Sequence, residues 1–216
     1  MIRVVVADDH TIVREGLKQL LGASGDLQVV GEAQNGHEVI ERVRGLDFDL
    51  LLLDMSMPGK SGIELIRQVR AERPKLRILI LSMHEEHQYA VRAIRAGAAG
   101  YLTKESASRQ LVEAIRKVAS GGAFISSEVA QQLALGAMPD AKGAPHEALS
   151  DREFQIFRMI AEGLSVSDIA ERLTLSVKTV STHKANILQK MNMGTAADLI
   201  RYAISHRLID DAADPA

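Results

Sequence analysis

The sequence predicts an α/β fold, a doubly wound parallel sheet of five strand–helix repeats, followed by a second, all-α domain of four helices. Three observations carry this. Five short aliphatic runs punctuate the first 120 residues, each followed by a stretch of three- and four-residue apolar periodicity. The runs are apolar throughout rather than alternating, as strands covered on both faces must be. Beyond residue 149 the runs stop and helical periodicity alone remains.

The first run, residues 4–7, ends at Asp8-Asp9, and the others span residues 27–33, 50–53, 76–81 and 100–102. Between them Ile12/Leu17/Leu20/Leu21, Val39/Ile40/Val43, Ile63/Leu65/Ile66/Val69 and Ala90/Val91/Ile94 each mark a helix, and Leu111/Val112/Ile115/Val118 mark a fifth. From residue 120 the pattern breaks into Gly121-Gly122, a short helix over about 127–135, and a stretch with Gly136, Pro139, Gly143 and Pro145 that reads as a linker. Order restarts with a capping box, Ser150 to Glu153, ahead of Phe154, Phe157, Ile160 and Ala161. After a helix over 151–161, further helices are expected over about 167–173, 177–191 and 195–205. The second and third form a helix-turn-helix with Ser176 as N-cap. The expected organisation is a sheet domain over 1–120, a linker over 121–148, a helical domain over 149–209 and a disordered tail over 210–216.

With 216 residues, 46% hydrophobic and 25% charged, the chain is long enough for two domains with cores. The absence of cysteine excludes disulfides and thiolate metal sites. Aromatics at 3%, with no Trp, argue against stacking of single-stranded nucleic acid. No apolar run approaches the ~20 residues of a membrane span, and the first is too short for a signal-peptide core. A soluble, cytoplasmic protein without membrane partners is expected. The net charge of −2 hides an asymmetry: residues 1–149 hold 18 Lys/Arg against 19 Asp/Glu, whereas 172–207 hold 6 basic residues against the single acid Asp198. Such a local excess is the footprint that a phosphate backbone requires.

In an open parallel sheet, ligands sit beyond the carboxyl ends of the strands. The residues there are Asp8-Asp9, Asp54, Ser82 and Thr103-Lys104. Any one acid after a strand is ordinarily a helix cap or a solvated turn residue. Three gathered carboxylates repel one another unless a cation such as Mg²⁺ and an ammonium, here Lys104, offset them. Together they are what a metal-assisted phosphoryl acceptor needs: Asp54 as nucleophile, Asp9 and Asp54 on the metal, Ser82 donating to a phosphoryl oxygen, Lys104 neutralising charge.

On Asp8-Asp9-His10, Asp54-Met55-Ser56-Met57-Pro58-Gly59 with Gly62, Ser82, and Tyr101-Leu102-Thr103-Lys104, residues 1–120 resemble a two-component response-regulator receiver domain, a flavodoxin-like (βα)5 fold. The resemblance implies that Asp54 is the phosphorylation site and Asp9 a direct ligand of Mg²⁺ or Mn²⁺. Asp8 would act largely through a metal-bound water, and the backbone carbonyl of Ser56 would complete the protein ligands. Tyr101 matches the aromatic that turns inward together with the residue at Ser82 upon phosphorylation. Ser56, Met83 and His84 match positions that help set the lifetime of the acyl phosphate. The resemblance also implies a sensor histidine kinase as phosphoryl donor and no enzymatic activity beyond self-catalysed phosphoryl acceptance and autodephosphorylation. His10, His37, His84 and His87 read as surface or capping histidines near strand ends or on helix faces.

In the helical domain, Ile169/Ala170/Leu173 and Val180/Ile187/Leu188/Met191 are the expected core of the helix-turn-helix. Lys178, Ser181, Thr182, Ala185 and Gln189 share the face of the third helix opposite that seam, which suits the major groove. Short side chains allow close approach to base edges, Lys178 can reach guanine or phosphate, and Thr179, Lys184, Asn186 and Lys190 suit backbone contacts. The segment is similar to the LuxR-type helix-turn-helix. The resemblance rests on Leu149-Ser150-Asp151-Arg152-Glu153, Ala161-Glu162-Gly163-Leu164-Ser165, Asp168-Ile169-Ala170 and Leu175-Ser176-Val177-Lys178-Thr179-Val180-Ser181-Thr182-His183. Many members carry lysine where this chain has Ser181, so base preference does not transfer. Leu199, Ile200, Ala203 and Ile204 resemble core positions of the last helix, and Thr195, Asp198 and Tyr202 resemble positions where the family makes dimer contacts.

Receiver plus LuxR-type helix-turn-helix is the layout of NarL/FixJ response regulators. The resemblance implies double-stranded promoter DNA as partner, a homodimer when phosphorylated or on DNA, and RNA polymerase as a further partner. Two rivals stand beside it. A phosphatase with an aspartyl nucleophile would want an acid two residues after Asp54, where Ser56 stands. A pure interaction module would not bind duplex DNA in a salt-sensitive way.

Overall fold

The computed structural model describes residues 1–57, 62–82, 87–135, 144–206 and 208–209, which divide into two compact units, Met1–Gln131 and Gln132–Ala216. In the first, strands β1 (Ile2–Ala7), β2 (Leu27–Ala33), β3 (Leu50–Asp54), β4 (Arg77–Ser82) and β5 (Gly100–Thr103) pair in parallel in the order β2-β1-β3-β4-β5. Helices α1 (Thr11–Gly22), α2 (Gly36–Gly45), α3 (Gly62–Glu72), α4 (His87–Arg95) and α5 (Lys104–Ala119) alternate with them. This is the doubly wound parallel sheet that the five runs predict, in the flavodoxin-like form that the receiver resemblance implies.

The central strands are apolar because both their faces are covered. Val4, Val6, Leu50, Leu52, Leu79, Leu81 and Leu102 form one buried cluster with Leu17 and Leu21 of α1 and Leu111, Ala114, Ile115 and Val118 of α5. Val5, Leu51, Leu53, Ile78 and Ile80, equally buried, point to the opposite face by the two-residue period of a strand. Register then fixes the site. Ala7 pairs with Leu53, Asp54 with Leu81 and Ser82 with Thr103, so Asp8, Asp54 and Ser82 emerge side by side at the carboxyl edge. The strand order reverses between β1 and β3, the place where a sheet of this type opens a crevice.

The stretch beyond α5 holds more order than its glycines suggest. Phe124 forms an isolated bridge to Gly100, the Tyr101 N–H donating to its carbonyl at 2.8 Å. Helix α6 (Ser127–Leu135) follows. Pro145–Ala148 form a 3-10 helix that contacts the second unit's core, and His146 within it is buried. The linker expected over 121–148 is therefore partly built into both units; its residues 136–143, like the tail 210–216, lie outside the described residues. A Cβ on Gly100 would stand 2.7 Å from Leu79 Cδ1 and 3.0 Å from the Phe124 carbonyl oxygen. Gly100→Ala is expected to destabilise the sheet unit by about 1–3 kcal/mol through overpacking, read by thermal denaturation. An unchanged melt would show that Phe124 is not held there.

The second unit packs α7 (Asp151–Ala161), α8 (Val166–Arg172), α9 (Val177–Met191) and α10 (Ala196–Ser205). Helices α7, α8 and α10 start on capping boxes, Ser150–Glu153, Ser165–Asp168 and Thr195–Asp198, while Ser176 caps α9 by accepting from the Thr179 N–H. The core joins Phe154, Ile156, Phe157 and Ile160 to Ile169, Ala170 and Leu173, and to Val180, Ile187, Met191, Leu199 and Ala203. Three expectations are corrected. Leu188 and Ile200 are only half-buried, and Ile204 is 45% exposed, because α10 packs on α7 through Leu199 and Ala203 and turns Ile204 outward.

Candidate functional site

Asp8, just beyond β1, and Asp54, the last residue of β3, have fully buried carboxylates, with side chains 1% and 0% exposed. Lys104, the first residue of α5, reaches between them, its Nζ donating to Asp8 Oδ2 at 2.6 Å and to Asp54 Oδ2 at 3.0 Å. Asp54 Oδ1 accepts from the Ser56 N–H at 3.2 Å. Burial pushes the Asp54 carboxyl above the usual range, opposed by the Lys104 charge and reinforced by Asp8. For Lys104, burial pulls the ammonium down, but its bond to Asp8 and the charge of Asp54 outweigh this and raise it. An ammonium thus bridges two carboxylates that could not otherwise both stay charged.

Asp9 stands beside this pair, partly exposed, and ligand atoms of Asp8, Asp9, His10 and Asp54 all lie within 4.8 Å of one another. Asp9 Oδ1 is buried and takes no hydrogen bond, an orphaned acceptor among carboxylates that suits a hard divalent cation. Ser82 ends β4, is buried, and pairs in register with Thr103. Tyr101 is also buried, and with Ala90, Gln110, Phe124 and Val129 it lines a cavity of about 660 Å³. Met83, His84, Pro58, Gly59 and the side chain of His87 lie outside the described residues; His37 is exposed beside Glu41.

One residue of this pocket escapes the sequence reading. Arg14, four positions into α1, is buried and donates to the Asp8 carbonyl oxygen at 2.8 Å and to Glu32 Oε2 at 3.1 Å, pinning the loop that carries the acids. Its spacing from Asp8-Asp9 is visible, but nothing in a helical period marks a charge that turns inward. His10, read from the sequence as a surface or capping histidine, is the N-cap of α1 and is 66% exposed, but its side chain makes no capping bond and hydrogen-bonds to Asp8 instead.

On α9, Lys178, Ser181, Thr182, Ala185, Asn186 and Gln189 are exposed, and Lys184 and Thr179 half-buried, opposite Val180, Ile187 and Met191. The structure gives two of the expected DNA contacts other work. Lys190 Nζ is bound at 2.6 Å to Glu153 Oε2, a buried carboxylate that also accepts from the Ser150 N–H and hydroxyl. The Thr179 hydroxyl lies 2.8 Å from that of Ser176, inside the cap. The positions resembling dimer contacts also serve their own domain: Thr195 and Asp198 form the α10 cap, and the Tyr202 hydroxyl lies 2.7 Å from His146 Nδ1.

A flavodoxin-like sheet with an Asp–Lys–Asp pocket at its carboxyl edge, joined to a helix-turn-helix domain, is the layout of a DNA-binding regulator. Family comparison agrees: residues 4–116 match the response regulator receiver domain and residues 147–203 the bacterial regulatory proteins of the luxR family. The chain is 38% identical over 213 residues to the response regulator GacA of Pseudomonas aeruginosa, covering 98% of this chain and all of that one. It is 39% identical over 209 residues to the response regulator UvrY of Escherichia coli K12, covering 96% of each. Among solved structures, RcsB of Salmonella typhimurium superposes with a TM-score of 0.73 at 28% identity, over 94% of this chain and 97% of that one. RcsB of Salmonella enterica serovar Typhimurium, bound to the P1flhDC promoter in the presence of the phosphomimetic BeF3−, gives 0.69 at 28%, over 94% and 98%. The chain belongs to the two-component response regulators of the NarL/FixJ type and joins a receiver to a LuxR-family DNA-binding domain. Among the described residues, no helix is long and apolar enough to cross a membrane.

Proposed function

We propose that Asp54 accepts a phosphoryl group from a phosphohistidine of a sensor kinase and that this changes how the chain dimerises and binds promoter DNA. The single observation that carries the reading is the Asp54 carboxylate, buried at the strand end and bridged to Asp8 by the Lys104 ammonium. A carboxylate oxygen of Asp54 attacks phosphorus; the new O–P bond forms as the P–N bond breaks, and the leaving imidazole nitrogen takes its proton from solvent or the kinase. Asp9, Asp54 and the Ser56 carbonyl would hold Mg²⁺ or Mn²⁺, with Asp8 behind them, and the ion supplies charge neutralisation for the transferring group. Lys104 Nζ, already on Asp54, pairs with a phosphoryl oxygen, and the Ser82 hydroxyl donates to another. Tyr101, buried beside the Phe124 bridge, links that rearrangement to the chain leaving the receiver.

The output is read by α9 in the major groove of double-stranded DNA, Lys178 and Ser181 nearest the base edges. The protein is cytoplasmic in this reading and carries no turnover beyond its own phosphorylation and dephosphorylation. Selection of genomic fragments with and without beryllofluoride tests the whole chain of events. Paired half-sites are expected to enrich with the mimic by at least about tenfold and to lose that gain in Asp54→Ala. The same fragments in every arm would remove the receiver as the switch, and none in any arm would favour the interaction module.

A further inference from the structure

We propose that His10 is a fourth protein ligand of the receiver's cation site and shifts its preference from Mg²⁺ toward first-row transition divalents that accept imidazole. The inference rests on the receiver reading of the Asp8, Asp9 and Asp54 pocket and adds to it a residue that the surface-histidine expectation dismissed.

The geometry is specific. His10 Nδ1 stands 3.0 Å from Asp9 Oδ1 and is hydrogen-bonded to Asp8 Oδ1 at 3.3 Å. Asp9 Oδ1 is nevertheless without a hydrogen bond, so the shorter approach is not one: the two atoms are close but poorly aligned for a shared proton. Two donors held cis on a six-coordinate ion at ~2.1 Å are about 3.0 Å apart, which is the spacing found. Asp54 supplies a further ligand atom within 4.8 Å of the others. The second observation is on α1. An N-cap residue ordinarily turns its side chain back onto the helix N–H groups; His10 does not, and its own backbone N–H donates to Asp8 Oδ1 at 2.8 Å, which tethers the ring over the carboxylates. In the ion-free pocket Nδ1 hydrogen-bonds to Asp8 Oδ1, and to ligate it would exchange that proton for the cation.

The chemistry follows from the ligand set. Carboxylates, a carbonyl and water suit Mg²⁺, whereas an added imidazole favours Mn²⁺, Co²⁺ or Zn²⁺. A receiver so built is loaded by a transition divalent at concentrations where Mg²⁺ leaves it partly empty.

The test uses tag-free, chelator-treated full-length protein and measures binding of Mg²⁺ alone and Co²⁺ alone by calorimetry. His10→Ala is expected to weaken Co²⁺ about tenfold or more while changing Mg²⁺ by less than about twofold. The exposed His37→Ala is expected to change neither. Pulsed EPR of the Mn²⁺-loaded protein is expected to show a coupled ¹⁴N nucleus that disappears in His10→Ala. Equal losses for Co²⁺ and Mg²⁺, or no such nucleus in the parent protein, would overturn the assignment of His10 and leave the receiver reading standing. Failure of Mg²⁺ and Co²⁺ alike to bind the parent protein would remove both.

Discussion

Lys104→Met is expected to destabilise the receiver by about 3–5 kcal/mol at pH 7 in the presence of a chelator, because it leaves two buried carboxylates with no counter-charge. The side chains of Asp8 and Asp54 are 1% and 0% exposed, so solvent screens neither. The pH dependence separates this from ordinary loss of packing. In the parent protein Lys104 is raised by its partners, so its contribution is complete below the ordinary lysine range and is lost only as pH rises through the raised value. Asp54 is already raised by burial, and a raised carboxyl costs stability above its folded pKa. Removing the ammonium raises it further, so the deficit of the variant is largest at neutral pH and shrinks as pH falls and the carboxyl protonates. A divalent cation supplies the missing charge by another route, and saturating Mg²⁺ at about 100 times its Kd returns roughly 2.7 kcal/mol. Denaturant melts with Mg²⁺ or chelator, between pH 5 and 8, read both effects. A loss below about 1 kcal/mol that ignores pH and Mg²⁺ would mean that Lys104 does not hold this charge balance.

Much of this pocket is legible in the chain because its parts are tied to strand ends. An apolar run covered on both faces cannot continue through Asp8 or Asp54, so the acids announce both the end of the strand and the place where ligands meet. Even the partnership of Lys104 with Asp8, 96 residues away, follows once the strands are numbered. The helical domain is legible for a different reason: Ser150, Ser165, Ser176 and Thr195 each open a helix with a local signal. What escapes notice is polar burial without period. Arg14 and His146 turn inward because Asp8, Glu32 and Tyr202 lie there, and nothing local in the sequence records those neighbours. Lys190 shares the lysine-rich look of α9, yet its partner Glu153 sits 37 residues back in a capping box. Composition sees three equal lysines where the fold makes one of them structural.

That difference predicts how DNA binding divides along α9. Lys178→Ala combined with Lys184→Ala is expected to reduce the slope of log affinity against log salt by about 2 and to weaken duplex binding roughly thirtyfold at 0.15 M salt, each lysine releasing about 0.9 counterion. Lys190→Ala is expected to leave the slope nearly unchanged. Its ammonium is engaged with Glu153, whose carboxyl is opposed by burial but held below the usual range by Lys190 and by the Ser150 bonds. Because Lys190 is 43% exposed, solvent screens the pair and its loss costs only about 1 kcal/mol. A depressed carboxyl stabilises above its unfolded pKa and loses that contribution as pH falls through the folded value, so the Lys190→Ala deficit fades in acid. Salt titrations of binding to a selected promoter fragment, run beside thermal melts, read both quantities. A slope that falls equally for Lys190→Ala would mean that Glu153 releases this lysine when DNA arrives. Indifference of the slope to Lys178 and Lys184 would move the contact surface off α9, because these are the lysines left to meet phosphate once Lys190 is bound within the domain.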